Sequence, residues 1–171
     1  TSTKAMLSQV FSKFGNTYSS PQSFNNYLGV PLPLANIPLG TQYVVCEIGM
    51  NSRGEIEPLS KLASPDIGII TNISPAHLAS FNSLEGIAEE KAMICSGLAT
   101  NGILIYPNDT PYAKPIVKMI NKKKVRKLTF GFKPAADVYL KKIGSKKNKT
   151  SLDVNIKHIK NFSFDLDALG S

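Results

Sequence analysis

The sequence predicts an α/β fold, in which a mostly parallel sheet is flanked by helices and a small antiparallel β segment lies near the C-terminus. Short apolar runs alternate with segments of helical period between residues 43 and 130. That alternation is typical of a parallel sheet covered on both faces. After Ala136 the pattern changes to two strand-like segments around the polar turn SKKNKT, which indicates an antiparallel hairpin.

Apolar residues at helical spacing predict a first helix that begins almost at the first residue. They are Met6, Leu7, Val10, Phe11 and Phe14. Gly15-Asn16 supplies a signal for the end of this helix. A short extended run at 17–20 and a proline-interrupted segment up to Pro38 follow.

The apolar runs and periodic segments that follow predict the rest of the fold. The predicted strands of the parallel sheet are 43–47, 66–71, 102–106 and 125–130. The predicted helices are 54–62, 83–98 and 110–121. Ser83 suits the N-cap of the second of these, and Pro111 and Pro115 limit the start of the third. The hairpin strands are 137–143 and 151–159, and residues 162–166 alternate once more.

Composition excludes several classes of protein. The 171 residues are 42% hydrophobic and 19% charged, a globular mixture. No apolar stretch approaches the roughly 18 residues that a membrane span needs, and the chain opens without a signal-peptide pattern. Cys46 and Cys95 lack CxxC spacing, so we expect neither a disulfide framework nor a zinc site. We therefore expect a cytoplasmic location.

Charge is distributed unevenly along the chain. Residues 1–100 hold five Lys/Arg and seven Asp/Glu, whereas residues 101–171 hold fifteen Lys/Arg and five Asp/Glu. A basic half of this kind is found in nucleic-acid-binding proteins and also in proteins with a solvated, lysine-rich surface. Lys122–Lys149 with Phe130, Phe132 and Tyr139 would be the nucleic-acid site, but no RNP-type run or recognition helix accompanies them. We therefore expect no nucleic-acid partner.

Four features are predicted to meet at the carboxyl edge of the sheet, where doubly wound folds bind ligands. The first is Thr1-Ser2-Thr3 at the head of the first helix, where backbone N–H groups favour an anion. The second is Glu47 at the end of a buried strand, where a carboxylate could hold Mg²⁺. The others are Thr71-Asn72 with His77 after the next strand, and Lys91 on the following helix.

Lys91 is the most informative of these residues. It lies seven residues after Leu84 and four after Ile87, inside the apolar stripe of the predicted helix. A lysine there must extend its amine to solvent, pair with an anion or lose its charge. Periodicity alone leaves these possibilities open, as it leaves open whether Glu47 is a surface carboxylate and His77 an ordinary hydrogen-bonded histidine.

Several motifs, in this order, resemble those of the Mur ligases. TSTKAML resembles the continuation of a Walker A loop, and SFNNYLGVPLPL, VVCEIGMNSRGEI, ITNISPAHLASFNSLEGIAEEKAMICSGL and LTFGF follow it. The resemblance implies the fold of the P-loop central domain of that family. It also implies an ATP-dependent, Mg²⁺-dependent amide-bond ligase of peptidoglycan precursor synthesis, of the kind that adds D-Ala-D-Ala to UDP-N-acetylmuramoyl-tripeptide through an acyl phosphate. A folylpolyglutamate or cyanophycin synthetase type of ligase is the alternative within the same superfamily.

The resemblance also implies roles for individual residues. It places Thr1 and Ser2 at the nucleotide, Asn25, Asn26 and Asn72 at the substrate, and Thr1, Glu47, His77 and Lys91 at the metal ions. Lys91 matches a lysine that is carbamylated in Mur ligases, and with His77 it would be catalytic. It implies too that 1–171 is an incomplete central ATP-binding domain, without the P-loop glycines and lysine, the N-terminal UDP-binding domain or the C-terminal domain. We therefore expect a monomer that is inactive as it stands.

Overall fold

The computed structural model describes residues 1–20, 23–75, 78–146, 149–159 and 161–167. Its helices are α1 (Ser2–Phe11), α2 (Pro31–Ala35), α3 (Ile56–Ala63), α4 (Leu78–Phe81), α5 (Leu84–Ala92) and α6 (Ala113–Lys123). Its strands are β1 (Thr17–Ser19), β2 (Tyr43–Val45), β3 (Ile67–Ile69), β4 (Ile103–Pro107), β5 (Arg126–Gly131), β6 (Val138–Lys146), β7 (Lys149–Ile156) and β8 (Phe162–Leu166).

The larger sheet has the order β3-β4-β5-β6-β7-β8. Strands β3 to β6 pair in parallel, and β6, β7 and β8 pair in antiparallel fashion. The predicted α/β class with an antiparallel segment near the C-terminus is therefore confirmed. The hairpin strands meet at the pair Lys146 and Lys149, so the turn lies in the polar segment that the sequence indicated.

One feature of the sheet differs from the expectation. Strands β1 and β2 form a separate two-stranded parallel sheet, and within the described residues no ladder joins β2 to β3. The loop after β2 and the end of β3 line the same cavity. That cavity therefore lies between the carboxyl ends of the two sheets.

The main core lies between the larger sheet and the helices α5 and α6. Its buried members are Ile70, Ala92, Cys95, Leu104, Tyr106, Ile116 and Ile120. They lie on β4 and α6, directly after β3, at the end of α5 and in the turn that follows α5. The apolar residues of the strands and of the helices thus pack into one cluster, as the sequence pattern predicted. Both cysteines are free thiols.

The helices differ from their predicted bounds in two places. The segment 83–98 is an α-helix only as far as Ala92, and Met93–Ser96 continues as a 3-10 turn. α1 ends at Phe11, because the amide of Phe14 bonds back to the carbonyl of Phe11 and closes a tighter turn. Phe14 consequently lies outside the helix with 72% of its surface exposed.

The apolar stripe of α1 is not its buried face. Met6 and Val10 are exposed, and the buried residue of this helix is Lys4. The Nζ of Lys4 donates to the backbone carbonyl of Ser20 at 2.7 Å. Phe11 packs against Tyr43 of β2, with ring centroids 4.9 Å apart. One aromatic contact and one buried amine therefore attach α1 to the small sheet.

Candidate active site

Glu47 lies two residues beyond β2, at the carboxyl end of the small sheet. Its Oε1 accepts hydrogen bonds from the Asn25 side-chain amide at 3.1 Å and from the Thr1 hydroxyl at 3.2 Å. Burial raises the pKa of Glu47, but these hydrogen bonds outweigh it, so the pKa lies below its ordinary value. The side chain is therefore a carboxylate at neutral pH.

The second oxygen of Glu47 has fewer partners. Oε2 is buried and accepts no hydrogen bond from the described residues; it lies 3.3 Å from the backbone nitrogen of Thr1. A buried anionic oxygen of this kind gains from a cation nearby. The Thr1 hydroxyl, which also lies 2.9 Å from the Ser23 hydroxyl, adds a second oxygen beside it. Ser2 follows as the exposed first residue of α1.

Asn25 links the Glu47 loop to the segment before α2. Its backbone carbonyl accepts the Gly49 amide at 2.7 Å, and its side chain donates to Glu47. A Cβ on Gly49 would lie 2.8 Å from the Asn25 side chain, so only glycine permits this close approach. Asn25 was predicted to bind substrate, and in the structure its amide holds the carboxylate.

Asn26 fixes its own turn. Its Oδ1 accepts the amides of Leu28 and Gly29 at 3.1 and 2.8 Å, an arrangement typical of an Asx turn. The side chain also borders the cavity described below. Its oxygen is thus occupied by backbone donors, which leaves the amide nitrogen for any ligand.

Lys91 lies on α5, at the side of the cleft formed by β3. Its Nζ donates to the backbone carbonyl of Asn72 at 2.5 Å. Burial lowers the pKa of Lys91, as the sequence analysis anticipated for a lysine within an apolar stripe. Asn72, which contributes its carbonyl here, lies three residues beyond the end of β3. His77, the remaining predicted residue of the site, lies outside the described residues.

A cavity of about 270 Å³ is bordered by Asn25 and Asn26 and by Lys91. Its polar lining includes Asn25, Asn26, Asn51, Thr71, Ser74 and Lys91, and its apolar lining consists of Ile48, Met50, Ile56, Ile69, Ile70, Ile87 and Ile94 together with Gly49. Asn25 therefore contacts Glu47 and borders the same space as Lys91. Asn25 is thus the link between Lys91, which borders the cavity, and the pair of Glu47 and Thr1, which lies beyond the cavity lining.

Glu90 is a residue at this site that sequence analysis missed. It is only 5% exposed, and its two carboxylate oxygens accept the amides of Gly54 and Ile56. A signal existed in the sequence, because Glu90 lies three residues after Ile87 and four before Ile94, on the apolar stripe itself. A carboxylate at that spacing must have buried partners.

Metal ligands of the zinc type are absent from the part of the chain that the structure describes. No group of three His, Cys, Asp or Glu side chains converges there. Burial raises the pKa of Cys95 to about 11 and that of Cys46 above its ordinary value, so neither cysteine is a thiolate at neutral pH. The hard oxygens of Glu47 and Thr1 suit Mg²⁺, which often takes one or two protein ligands and completes its shell with phosphate oxygens and water.

Known proteins similar to this chain share one family. A family model described as Mur ligase middle domain matches residues 1–171. The UDP-N-acetylmuramoyl-tripeptide–D-alanyl-D-alanine ligase of Bacillus subtilis is 42% identical over 111 residues, which cover 65% of this chain and 24% of that protein. The chain thus spans about a quarter of the length of this relative.

Solved structures agree in fold. MurF from Acinetobacter baumannii superposes with a TM-score of 0.88 at 28% identity, over 98% of this chain and 36% of that one. MurF from Thermotoga maritima in complex with ADP gives 0.84 at 26% identity, over 95% and 37%. FPGS of L. casei gives a TM-score of 0.62 at 14% identity, over 76% of this chain and 30% of that one, which is a likeness of fold alone.

Proposed function

The chain belongs to the Mur ligase middle-domain family, and we propose that it forms the central ATP-binding domain of a ligase that joins D-Ala-D-Ala to UDP-N-acetylmuramoyl-tripeptide. The similarity to ligases of that name supports the substrates. The observation that supports the reaction type is that Asn25, which donates to the Glu47 carboxylate, borders the same cavity as Lys91. Phosphoryl transfer depends on positioned charge more than on covalent help from the protein.

ATP is the proposed nucleotide, with its phosphates at Thr1 and Ser2. The first amides of α1 point out of the helix without intrahelical partners, and Thr1 makes no side-chain cap to them. Such a helix start favours a phosphate. The ADP in the Thermotoga maritima MurF complex supports a nucleotide in this fold.

Mg²⁺ is the proposed metal, and the residues fit it. Glu47 is ionised, with one buried oxygen that accepts no hydrogen bond from the described residues, and the Thr1 hydroxyl lies beside it. Glu47 and Thr1 would hold one ion, and carbamylated Lys91 with His77 a second. Bound there, Mg²⁺ would neutralise the charge that develops on the transferring phosphoryl group.

Lys91 is proposed to react as a neutral amine. Its lowered pKa increases the neutral fraction, and the nitrogen can then bond to the carbon of CO₂ and lose one proton, which gives a carbamate anion. The Asn72 carbonyl keeps the Lys91 nitrogen at the cleft. The modification would convert a poorly placed cation into the anion that a metal site needs.

The proposed reaction has two steps. A carboxylate oxygen of the tripeptide attacks the γ-phosphorus of ATP and ADP leaves, forming an acyl phosphate. The amine of D-Ala-D-Ala then attacks the carbonyl carbon, loses a proton and expels inorganic phosphate. Asn25 and Asn26 border the space where these groups would meet, and Asn72 adjoins it through its bond to Lys91. The isoleucines around that space would exclude water that could hydrolyse the acyl phosphate.

An assay of substrate requirement tests this function. It uses the complete ligase of which we propose this domain is a part. We expect ADP formation to require both UDP-N-acetylmuramoyl-tripeptide and D-Ala-D-Ala, and the product mass to equal the sum of the two minus one water. Tetrahydrofolate with glutamate serves as the control pair. Turnover with that pair and none with the first would favour the folylpolyglutamate type of ligase instead.

A further inference from the structure

Glu90 is a buried carboxylate for which the proposed chemistry has no use. It is 5% exposed on α5, directly beside Lys91 in sequence. Its Oε2 accepts the Gly54 amide at 2.9 Å and its Oε1 accepts the Ile56 amide at 2.9 Å. A carboxylate is kept in such a position when charge-assisted hydrogen bonds compensate for the lost hydration.

Glu90 accepts hydrogen bonds from the amide of Ile56, the first residue of α3, and from that of Gly54, two residues earlier. The N-cap residue of that helix, Glu55, makes no side-chain cap to it; its carboxylate accepts the Asn51 amide instead. The first amides of a helix have no intrahelical acceptors and carry partial positive charge. Glu90 therefore supplies from α5 the cap that α3 does not supply itself.

This contact fixes the loop that follows Glu47. The loop comprises residues 48–55 and runs from Glu47 to the first turn of α3. Gly54 adopts a positive φ of 86° just before the first turn of α3, a conformation that glycine allows at little cost. At its other end the loop is held by the bond between the Gly49 amide and the Asn25 carbonyl. Both ends are thus anchored, one of them to α5.

We propose that Glu90 is a positioning residue that sets the separation between the Glu47 and Lys91 sides of the cleft. Two consecutive residues of α5 reach different segments: Lys91 bonds to Asn72, three residues beyond β3, and Glu90 bonds to the end of the loop 48–55 and the first residue of α3. This inference rests on the proposed function, because the separation matters only if both sides serve one phosphoryl transfer. A displacement of about 1 Å between reacting groups in an active site can lower the rate roughly 100-fold.

The substitution Glu90→Gln tests the inference in the complete ligase. It keeps the shape of the side chain but removes the charge and turns an NH₂ group toward one of the two amides. We expect kcat to fall at least tenfold and the Mg²⁺ concentration for half-maximal rate to rise, whereas KM for D-Ala-D-Ala stays within twofold. Glu85→Gln is the matched control, since Glu85 is an exposed carboxylate on the same helix, and it should change none of these.

Amide NMR signals of Gly54 and Ile56 provide a readout that does not depend on activity. In Glu90→Gln both signals should move upfield and exchange faster, and in Glu85→Gln they should not. Glu90→Asp, which keeps the charge but is one methylene shorter, should give intermediate values and serves if the Gln variant does not fold. Amide shifts without any change in kcat or Mg²⁺ dependence would overturn the positioning role. If the complete ligase without substitutions did not join D-Ala-D-Ala to the UDP-linked tripeptide, the proposed function would be wrong, and this inference would fall with it.

Discussion

Lys91 and Glu90 are neighbours on α5, yet they bond to different segments of the chain. Lys91 meets a carbonyl after β3, and Glu90 meets amides at the start of α3. Their side chains are both largely withdrawn from water, so each requires a partner of suitable charge or polarity. The single carbonyl at Lys91 leaves room for a change of protonation or for modification, whereas both oxygens of Glu90 are engaged as acceptors of backbone amides.

Lys91→Ala should abolish ligation while the protein stays folded. Removal of the side chain takes away the proposed carbamate, and alanine suits the apolar stripe of α5. Turnover should fall on the order of 100-fold or more, and Lys91→Arg should fail as well, because its guanidinium forms no carbamate. Acetate should partly restore the Ala variant by occupying the vacated anion position. Turnover with circular dichroism measures both, with Lys118→Ala, an exposed lysine of α6, as the control. Near-normal activity in either Lys91 variant would remove the carbamate role.

Thr129→Val should make stability at the β5–β6 junction less dependent on pH. Hydrogen bonds from the Thr129 hydroxyl and amide hold the pKa of Asp137 below its ordinary value of 3.8. A depressed carboxyl pKa stabilises the fold above pH 3.8, and that contribution is lost as pH falls through the folded value. The variant should lose about 1 kcal/mol at pH 7 and progressively less below pH 3.8. Urea unfolding at several pH values measures it, with exposed Thr100→Val as the control; a pH-independent difference would contradict this account.

At the scale of the elements, α3 and the 3-10 turn Met93–Ser96 pack closely against each other. The Ser60 hydroxyl donates to the Ile94 carbonyl at 2.6 Å, and Ser60 is fully buried. Gly97 follows the turn, and a Cβ there would lie 2.0 Å from the Ser60 carbonyl oxygen. Glu90 at the N-terminus of α3 and Ser60 in its second turn therefore attach one helix to the other at two points.

Gly97→Ala should destabilise the fold through this contact. The φ of Gly97 is −101°, which alanine tolerates, so the effect is steric and not conformational. Displacement of the Ser60 backbone should cost about 2 kcal/mol of unfolding free energy. Gly144→Ala in β6 is the matched control, since a Cβ there meets nothing within 4 Å. Equal denaturation midpoints for the two variants would show that α3 moves away without cost.

The extent to which these elements were predictable depends on where the determining contacts lie. Ser83 caps α5 through the Gly86 amide at 3.1 Å, and such local chemistry is visible in the sequence. The short α2 and α4 were missed, because proline and small polar residues weaken the helical pattern there. The end of α5 at Ala92 and the cap supplied by Glu90 depend on contacts with α3, 34 to 36 residues away in sequence, which no local pattern shows.

In the molecule as a whole, the basic half forms part of the C-terminal side of the sheet and α6. The lysines at 114, 118 and 122 recur every four residues on α6, and all are exposed, opposite its buried Ile116 and Ile120. Such spacing is typical of the solvated face of an amphipathic helix. No helix among the described residues is long and apolar enough to cross a membrane.

Nucleic-acid binding should therefore be weak and indiscriminate. Fluorescence anisotropy with single- and double-stranded DNA and RNA, at about 50 and 200 mM salt, measures it. We expect any binding to vanish at the higher salt concentration and not to distinguish sequences. Sequence-dependent binding that survives at the higher concentration would assign this surface to a nucleic-acid partner.

An isotope-transfer measurement tests the central claim, that the cleft between Glu47 and Lys91 serves transfer of the γ-phosphoryl group to a carboxylate. The tripeptide substrate carries ¹⁸O in the carboxyl group that accepts D-Ala-D-Ala, and the products of the complete ligase are examined by mass spectrometry. Attack of that carboxylate on the γ-phosphorus leaves one ¹⁸O in the inorganic phosphate and produces ADP. We predict labelled phosphate and unlabelled ADP. Label in AMP, or phosphate without label while amide product forms, would contradict the acyl-phosphate route.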